Sequence, residues 1–285
     1  MKISTYGLRI TVTLGLLQSI LFAGLVGFWP FYENTTDFSG NGNGAINFSV
    51  TPAPDRFGNE NYAYLFNGID DYIEIADSPS LDITGELSIE AWIYIDRTTD
   101  LNRLTVLSKP LYDSGVDPYP VYALTSNDSA TTWEFSLGEY SFEFGSVQPE
   151  TWQHIAVTFN YGLQTVNGYQ DGELVYTNPE ILTDLGVSEQ SLLIGANIQH
   201  GDVFPGVIDD IRLFDSALSS SQIDSLYNIP FGINQITTPE SALAIGDVYI
   251  TYPETSMVEI WNYGLGLDTL TVASVDFSST IFSTD

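Results

Sequence analysis

Apolar and polar residues alternate strictly from Leu87 to Ile95. Leu87, Ile89, Ala91, Ile93 and Ile95 fall on one side of the chain, and Ser88, Glu90, Trp92 and Tyr94 on the other. A period of two is that of a strand with one buried face. Residues 152–159 repeat it, with Ile155, Val157 and Phe159 on one side and His154 facing the opposite way. Further strands are predicted over residues 24–31, 62–66, 71–75, 103–109, 120–125, 132–137, 140–144, 166–170, 173–176, 192–198 and 207–214. Asp171-Gly172 is the strongest hairpin signal, and Asn67-Gly68 marks a second turn. One segment breaks the pattern. Ser219 or Ser220 caps a short helix in which Ile223, Leu226 and Tyr227 recur at helical spacing. Many short strands between regular turns predict an all-β, two-sheet sandwich of jelly-roll type with one short C-terminal helix.

Composition narrows the picture. Aromatic residues make up 13% and hydrophobic residues 44% of the chain, too much for a disordered segment. The formal net charge of −30 repels phosphate backbones and argues against a nucleic-acid partner. It suits calcium, or a solvated acidic surface. Cysteine is absent, which removes disulfides, thiolate metal sites and cysteine nucleophiles. Lys2 and Arg9 precede an apolar run from Leu14 to Ala23, so residues 1–23 read as an export signal. The expected location is secreted or cell-surface, with no transmembrane span after cleavage. An uncleaved anchor is the alternative. Residues 24–31 are needed as the first strand, which favours cleavage.

Three separated segments carry a resemblance. They are Gly27-Phe28-Trp29-Pro30-Phe31 with Asp37-Phe38-Ser39-Gly40-Asn41-Gly42-Asn43, then residues 65–75, then Gly206-Val207-Ile208-Asp209-Asp210-Ile211-Arg212-Leu213-Phe214 with Ala217-Leu218. In this order they resemble the laminin-G-like, concanavalin A-like jelly-roll domains of secreted bacterial proteins, over residues 24–228. The resemblance implies that the first strand region and the last lie side by side and that the helix closes the domain. Residues 229–239 then read as a linker. Val258 to Gly264 and Leu270-Thr271-Val272 resemble the start of an immunoglobulin-like sandwich of the ASPM/Hydin type over residues 240–285. About half of the strands of such a sandwich are present, and the expectation is a fragment of a longer surface protein.

Several residues are candidates for chemistry. The Gly- and Asn-rich loop after Asp37 could turn its carbonyls toward a cation, and calcium takes about 6–8 oxygens. By the resemblance, Asp37 and Asp209 are the ligands of a structural calcium, with backbone oxygens near Asn41 and Asn43. Asp209 and Asp210 are adjacent in a strand and should face opposite sides, so at most one of them shares a site with Asp37. The alternative is an ordinary turn at Asp37 and a strand-end charge at Asp209. Asp70-Asp71 is either a rim site or a polar hairpin end. Among the aromatic residues from Tyr112 to Phe144, Trp133, Phe135, Tyr140, Phe142 and Phe144 alternate as core strands do. Tyr112 and Tyr119 flank a loop and are the better candidates to meet a ligand.

Hydrolysis needs two carboxylates facing one sugar. The patterns Glu-x-Asp-x-Glu and Glu-x-Asp-x-x-Glu are absent, and no Ser-His-Asp set or phosphate loop is evident. Glu86 with Glu90, and Glu139 with Glu143, share faces by parity alone. The sequence therefore predicts a non-catalytic extracellular module that binds a carbohydrate or a cell-surface protein, with a structural calcium. The alternatives are a glycan-cleaving hydrolase or lyase of the same fold, and a spacer or adhesin module of a longer chain. Ligand identity and oligomeric state are not legible.

Overall fold

The computed structural model describes residues 24–97, 102–111, 120–179, 185–197 and 201–228. The segments expected to be an export signal (1–23), a linker (229–239) and a partial sandwich (240–285), together with Tyr112 and Tyr119, lie outside the described residues.

The strands, in chain order, are β1 Leu25–Trp29, β2 Ala45–Phe48, β3 Thr51–Ala53, β4 Ala63–Asn67, β5 Tyr72–Ile75 and β6 Leu87–Ile95. Then come β7 Thr105–Pro110, β8 Pro120–Ser126, β9 Trp133–Leu137, β10 Tyr140–Phe144, β11 Trp152–Asn160 and β12 Thr165–Gln170. The last are β13 Glu173–Asn178, β14 Leu192–Ile194, β15 Ala196–Asn197, β16 Asp202–Val203 and β17 Pro205–Phe214, followed by helix α1, Ser220–Tyr227. One sheet runs β13-β12-β11-β6-β17-β4-β3, with β1 added alongside β17. The other runs β10-β9-β8-β7-β14-β5-β2. The two antiparallel sheets form a sandwich, and β15 and β16 make a small ribbon.

The alternation in the sequence assigns the faces. Ile89, Ala91 and Ile93 of β6, and Ile155, Val157 and Phe159 of β11, point into one core with Trp133, Phe135 and Leu137 of the second sheet. Each of the Ile, Val, Leu and Phe side chains among them, fully buried, contributes about 1.5–3 kcal/mol. Phe142 and Phe144 are also core, while Tyr140 is exposed. The opposite face of the first sheet carries a smaller cluster. Ala156, Tyr169 and Phe214 receive Leu218, Ile223 and Leu226. Helix α1 is seated there, and Ser219 and Gln222 close its first turn in a reciprocal capping box.

β1 pairs antiparallel with β17, so the first and last strands do lie side by side. The hairpin between β12 and β13 is also as expected. Gln170 pairs with Glu173. Asp171 and Gly172 both take positive φ, +50° and +79°, as a two-residue type I′ turn requires. Asn67-Gly68 is different. It is not a hairpin turn, because β4 and β5 belong to different sheets and the chain crosses between them. Asn67 Oδ1 accepts from the N–H groups of Ile69, Asp70 and Asp71. Asp71 in return accepts from the backbone N–H and Nδ2 of Asn67. The local turn chemistry is right; the partner strands are elsewhere.

Candidate functional site

The expected cation ligands are placed as follows. Asp37 Oδ1 accepts from the N–H groups of Phe28 and Ser39, at 3.0 and 2.8 Å. Its Oδ2 accepts from Ser39 Oγ and the Asn43 N–H, at 2.8 and 2.9 Å. Four donors fill the lone-pair sites of one carboxylate. Asn43 Oδ1 accepts from Ser78 and Ser80, and its carbonyl oxygen accepts from Trp29 Nε1. Asn41 turns its amide NH₂ toward the Leu25 and Val26 carbonyls. Asp209 is occupied by Arg56 Nη1, at 3.2 Å. Asp37 and Asp209 thus hold different partners, and this donor set does not fit a calcium ion. The Asp37 oxygens face hydrogen-bond donors, and Asp209 faces a cation. Among the described residues no three His, Asp or Glu side chains gather as metal ligands. The loop is a hydrogen-bonded clasp from β1 to residues 78–80. Asp70 accepts from Asn67 Nδ2, and Asp71 belongs to the crossover turn. Burial raises the Asp71 carboxyl, opposed by the Asn67 N–H that donates to it.

The structure gathers a different set on the outward face of the first sheet. His154 of β11 pairs with Trp92 of β6, and Trp152 with Tyr94. Asp209 of β17 lies on the other side of Trp92. β17 is irregular between Asp209 and Arg212, and Asp210 takes φ +50°. A bulge of this kind re-aims side chains. Asp209 and Asp210, which a regular strand would point to opposite faces, both reach Arg56 Nη1, at 3.2 and 2.8 Å. Burial, then the Asp210 carboxylate, push the Asp209 carboxyl well above the usual carboxylate range, and Arg56 opposes them.

Arg56 comes from the loop after β3. Asp55 folds that loop by accepting from the N–H groups of Phe57 and Asn59, both at 2.8 Å. The Arg56 guanidinium lies 4.5 Å from the ring centroids of both Phe57 and Trp92. Trp92 stacks on Tyr227 at the end of α1, with centroids 5.5 Å apart and planes 16° from parallel. Arg56, Phe57, Trp92, Trp152, Tyr227 and Asn228 line a cleft of about 380 Å³. Phe57 is 43% exposed, Trp152 and Tyr227 are half-buried, and Trp92 is 9% exposed.

Under the cleft lies a buried polar layer. Glu90 accepts from Arg212 Nη1 and pairs with His154 Nε2 at 2.8 Å. The Arg212 guanidinium sits 4.0 Å over the Phe28 ring. His154 is therefore structural, on the face opposite Ile155. Trp92 Nε1, His154 Nδ1 and Arg212 Nε are buried without a hydrogen-bond partner among the described residues.

Neither Arg56 nor Phe57 stood out in the sequence, and Tyr227 read only as a helix residue. The signal that could have found the cleft is Trp92, a large ring on the polar side of an alternating strand, two residues from Tyr94. The same-face carboxylates do not assemble here. Glu86 accepts from the Ala217 N–H, and Glu143 from Thr132 and Asn127.

The chain belongs to the concanavalin A-like lectin/glucanases superfamily, whose Laminin_G_3 family model matches residues 67–224, over half of its length. No curated protein sequence matches it. Among solved structures it is similar to the binding domain of Paraclostridial Mosquitocidal Protein 1, at 15% identity and TM-score 0.57, covering 73% of this chain and 52% of that one. It is also similar to domain 4 of AbnA, a GH43 extracellular arabinanase from Geobacillus stearothermophilus, solved with arabinotriose. There the identity is 18%, the TM-score 0.54 and the coverage 72% and 98%. A third is botulinum neurotoxin type C, whose cell entry depends on two ganglioside molecules, at 16% identity and TM-score 0.57, covering 74% and 52%. The chain spans about half the length of the two toxin chains. At these identities the likeness is one of fold. No helix among the described residues is long and apolar enough to cross a membrane.

Proposed function

We propose that the domain is a secreted, non-catalytic carbohydrate-binding module and that a sugar ring packs in the cleft of Arg56, Phe57, Trp92, Trp152, Tyr227 and Asn228. The observation that carries the reading is the cleft itself. Aromatic rings, one guanidinium and one amide converge on a rigid sheet face, the mix of apolar platform and placed polar groups that small-ligand sites use. Sugars offer C–H faces to rings and hydroxyls to donors. Domains of this fold in the arabinanase and the neurotoxin are associated with arabinotriose and gangliosides, which supports the reading by analogy.

Binding is favoured over cleavage because no carboxylate lines the cleft. The nearest, Asp209 and Asp210, converge on one guanidinium nitrogen and do not flank a gap of about 5–10 Å. The proposal includes no calcium, since the Asp37 oxygens are filled by donors. The test is a glycan array probed with the protein and with Trp152→Ala. Sugar binding that is lost in the variant supports the reading. Binding to no glycan returns the domain to a spacer role.

A further inference from the structure

Arg56 is the only cation among the six residues that line the cleft. Its charge is not available to a ligand. Asp209 and Asp210 both accept from its Nη1, and Asp55 is close enough for its charge to be felt at Asp209. Two carboxyl groups converge on one guanidinium nitrogen, so the Arg56 charge is already matched within the protein. The chain as a whole carries −30.

We infer that the cleft selects uncharged sugar rings and rejects glycans that carry a carboxylate, such as sialic or uronic acids, and that Asp210 sets this selection. The inference rests on the carbohydrate reading above and names its ligand class. A guanidinium has five N–H donors, and the Nη1 pair is spent on Asp209 and Asp210. The Nε and Nη2 donors remain for hydroxyl oxygens. Arg56 therefore acts as a donor set with its charge already neutralised. A hydroxyl needs only the donor. A sugar carboxylate would also need uncompensated positive charge, and the Asp210 charge held on Arg56 would repel it. Repulsion of this kind is a common way of turning away wrong partners. The lining favours the same ligand class, since Phe57, Trp92, Trp152 and Tyr227 make it largely aromatic, and a ring's negative face attracts C–H bonds and repels an anion.

Asp210 is suited to a test. Its φ of +50° is in the left-handed region, which asparagine tolerates well. Asp210→Asn therefore keeps the shape of the bulge and removes one charge. Arg56 and Arg212 both lose part of their compensation, and the potential at the cleft floor rises.

The experiment measures affinities of the full chain for neutral probes (arabinotriose, lactose, xylotriose) and acidic ones (3′-sialyllactose, trigalacturonate). Asp210→Asn, Asp209→Asn and Trp152→Ala are measured in parallel, each checked for folding by its melting curve. The expected result is a preference for neutral sugars of at least about tenfold, lost affinity in Trp152→Ala, and a severalfold narrower gap in Asp210→Asn than in Asp209→Asn, whose parent carboxyl already holds a proton more tightly than usual. Acidic sugars bound as tightly as neutral ones, with both lost in Trp152→Ala, would overturn the inference and leave the carbohydrate reading standing. An unchanged gap in folded Asp210→Asn would overturn the role of Asp210. Binding to no probe, or binding indifferent to Trp152→Ala, would overturn the reading and the inference together.

Discussion

Arg212 of β17 and Glu90 of β6 pair directly across the first sheet, joined by a hydrogen bond from Nη1 to Oε1, and they are 2% and 1% exposed. Glu90 also holds His154, so three strands share one buried carboxylate. Such a pair contributes little net stability when intact, because desolvation offsets attraction. It is costly to break. Glu90→Ala strands a guanidinium whose other carboxylate, Asp210, is 3.4 Å away. The expected loss is about 3–5 kcal/mol by urea unfolding. A loss under about 1 kcal/mol would mean that water reaches Arg212.

The Asp37 clasp leads to a second expectation. With four donors on its carboxylate, Asp37 organises the loop without an ion. The protein should melt at the same temperature in millimolar calcium and in excess chelator. Asp37→Ala should lower the midpoint equally in both and cost on the order of 2 kcal/mol of stability, since hydrogen bonds to charged groups contribute more than neutral ones. A rise of several degrees with calcium, abolished by Asp37→Ala, would restore the ion.

Gly206 opens β17 beside β6. Its φ is +148°, and a Cβ there would meet the Tyr94 carbonyl oxygen and the Ile95 Cα. Both are backbone atoms of a central strand and cannot swing aside. Gly206→Ala should therefore cost more than an ordinary strand substitution, upward of about 3 kcal/mol, and reduce soluble yield. A melting temperature within a degree of the parent would show that β17 shifts freely at this end.

Asp209 gives a pH dependence. Its folded carboxyl binds a proton more tightly than the unfolded chain does, because of burial and then Asp210. Stability from that proton is fully present below about pH 4 and is lost as pH rises through the raised value. Asp209→Asn carries no such titration. The stability of the variant relative to the parent should therefore rise between about pH 4 and neutral pH. Parallel curves would place the Asp209 carboxyl in the ordinary range.

The core face was legible because apolar side chains obey parity. The alternation in β6 and β11 picked out the side that faces the second sheet, and Ser219 marked the helix start, but the polar side of both strands is buried as well, which the one-sided pattern did not foretell. Short edge strands were not legible. β2 and β3 are half-exposed and bury too little for a pattern to emerge. Asn67-Gly68 was legible as a turn but not as a crossover, because turn chemistry is local, while the choice of sheet is set by distant strands. The cleft was hidden for a similar reason. It joins residues 56, 92, 152 and 227, and the bulge that turns Asp209 and Asp210 toward Arg56 leaves no mark in residue type.

The location of the sugar is the central claim, and indole N–H resonances report it. Trp29 and Trp133 are core residues, fully buried. Trp92 and Trp152 line the cleft. Titration of isotope-labelled protein with a neutral oligosaccharide that binds should shift the Trp92 and Trp152 indole signals and leave those of Trp29 and Trp133 in place. Binding with the Trp92 and Trp152 signals unmoved would put the sugar elsewhere on the domain and contradict the account.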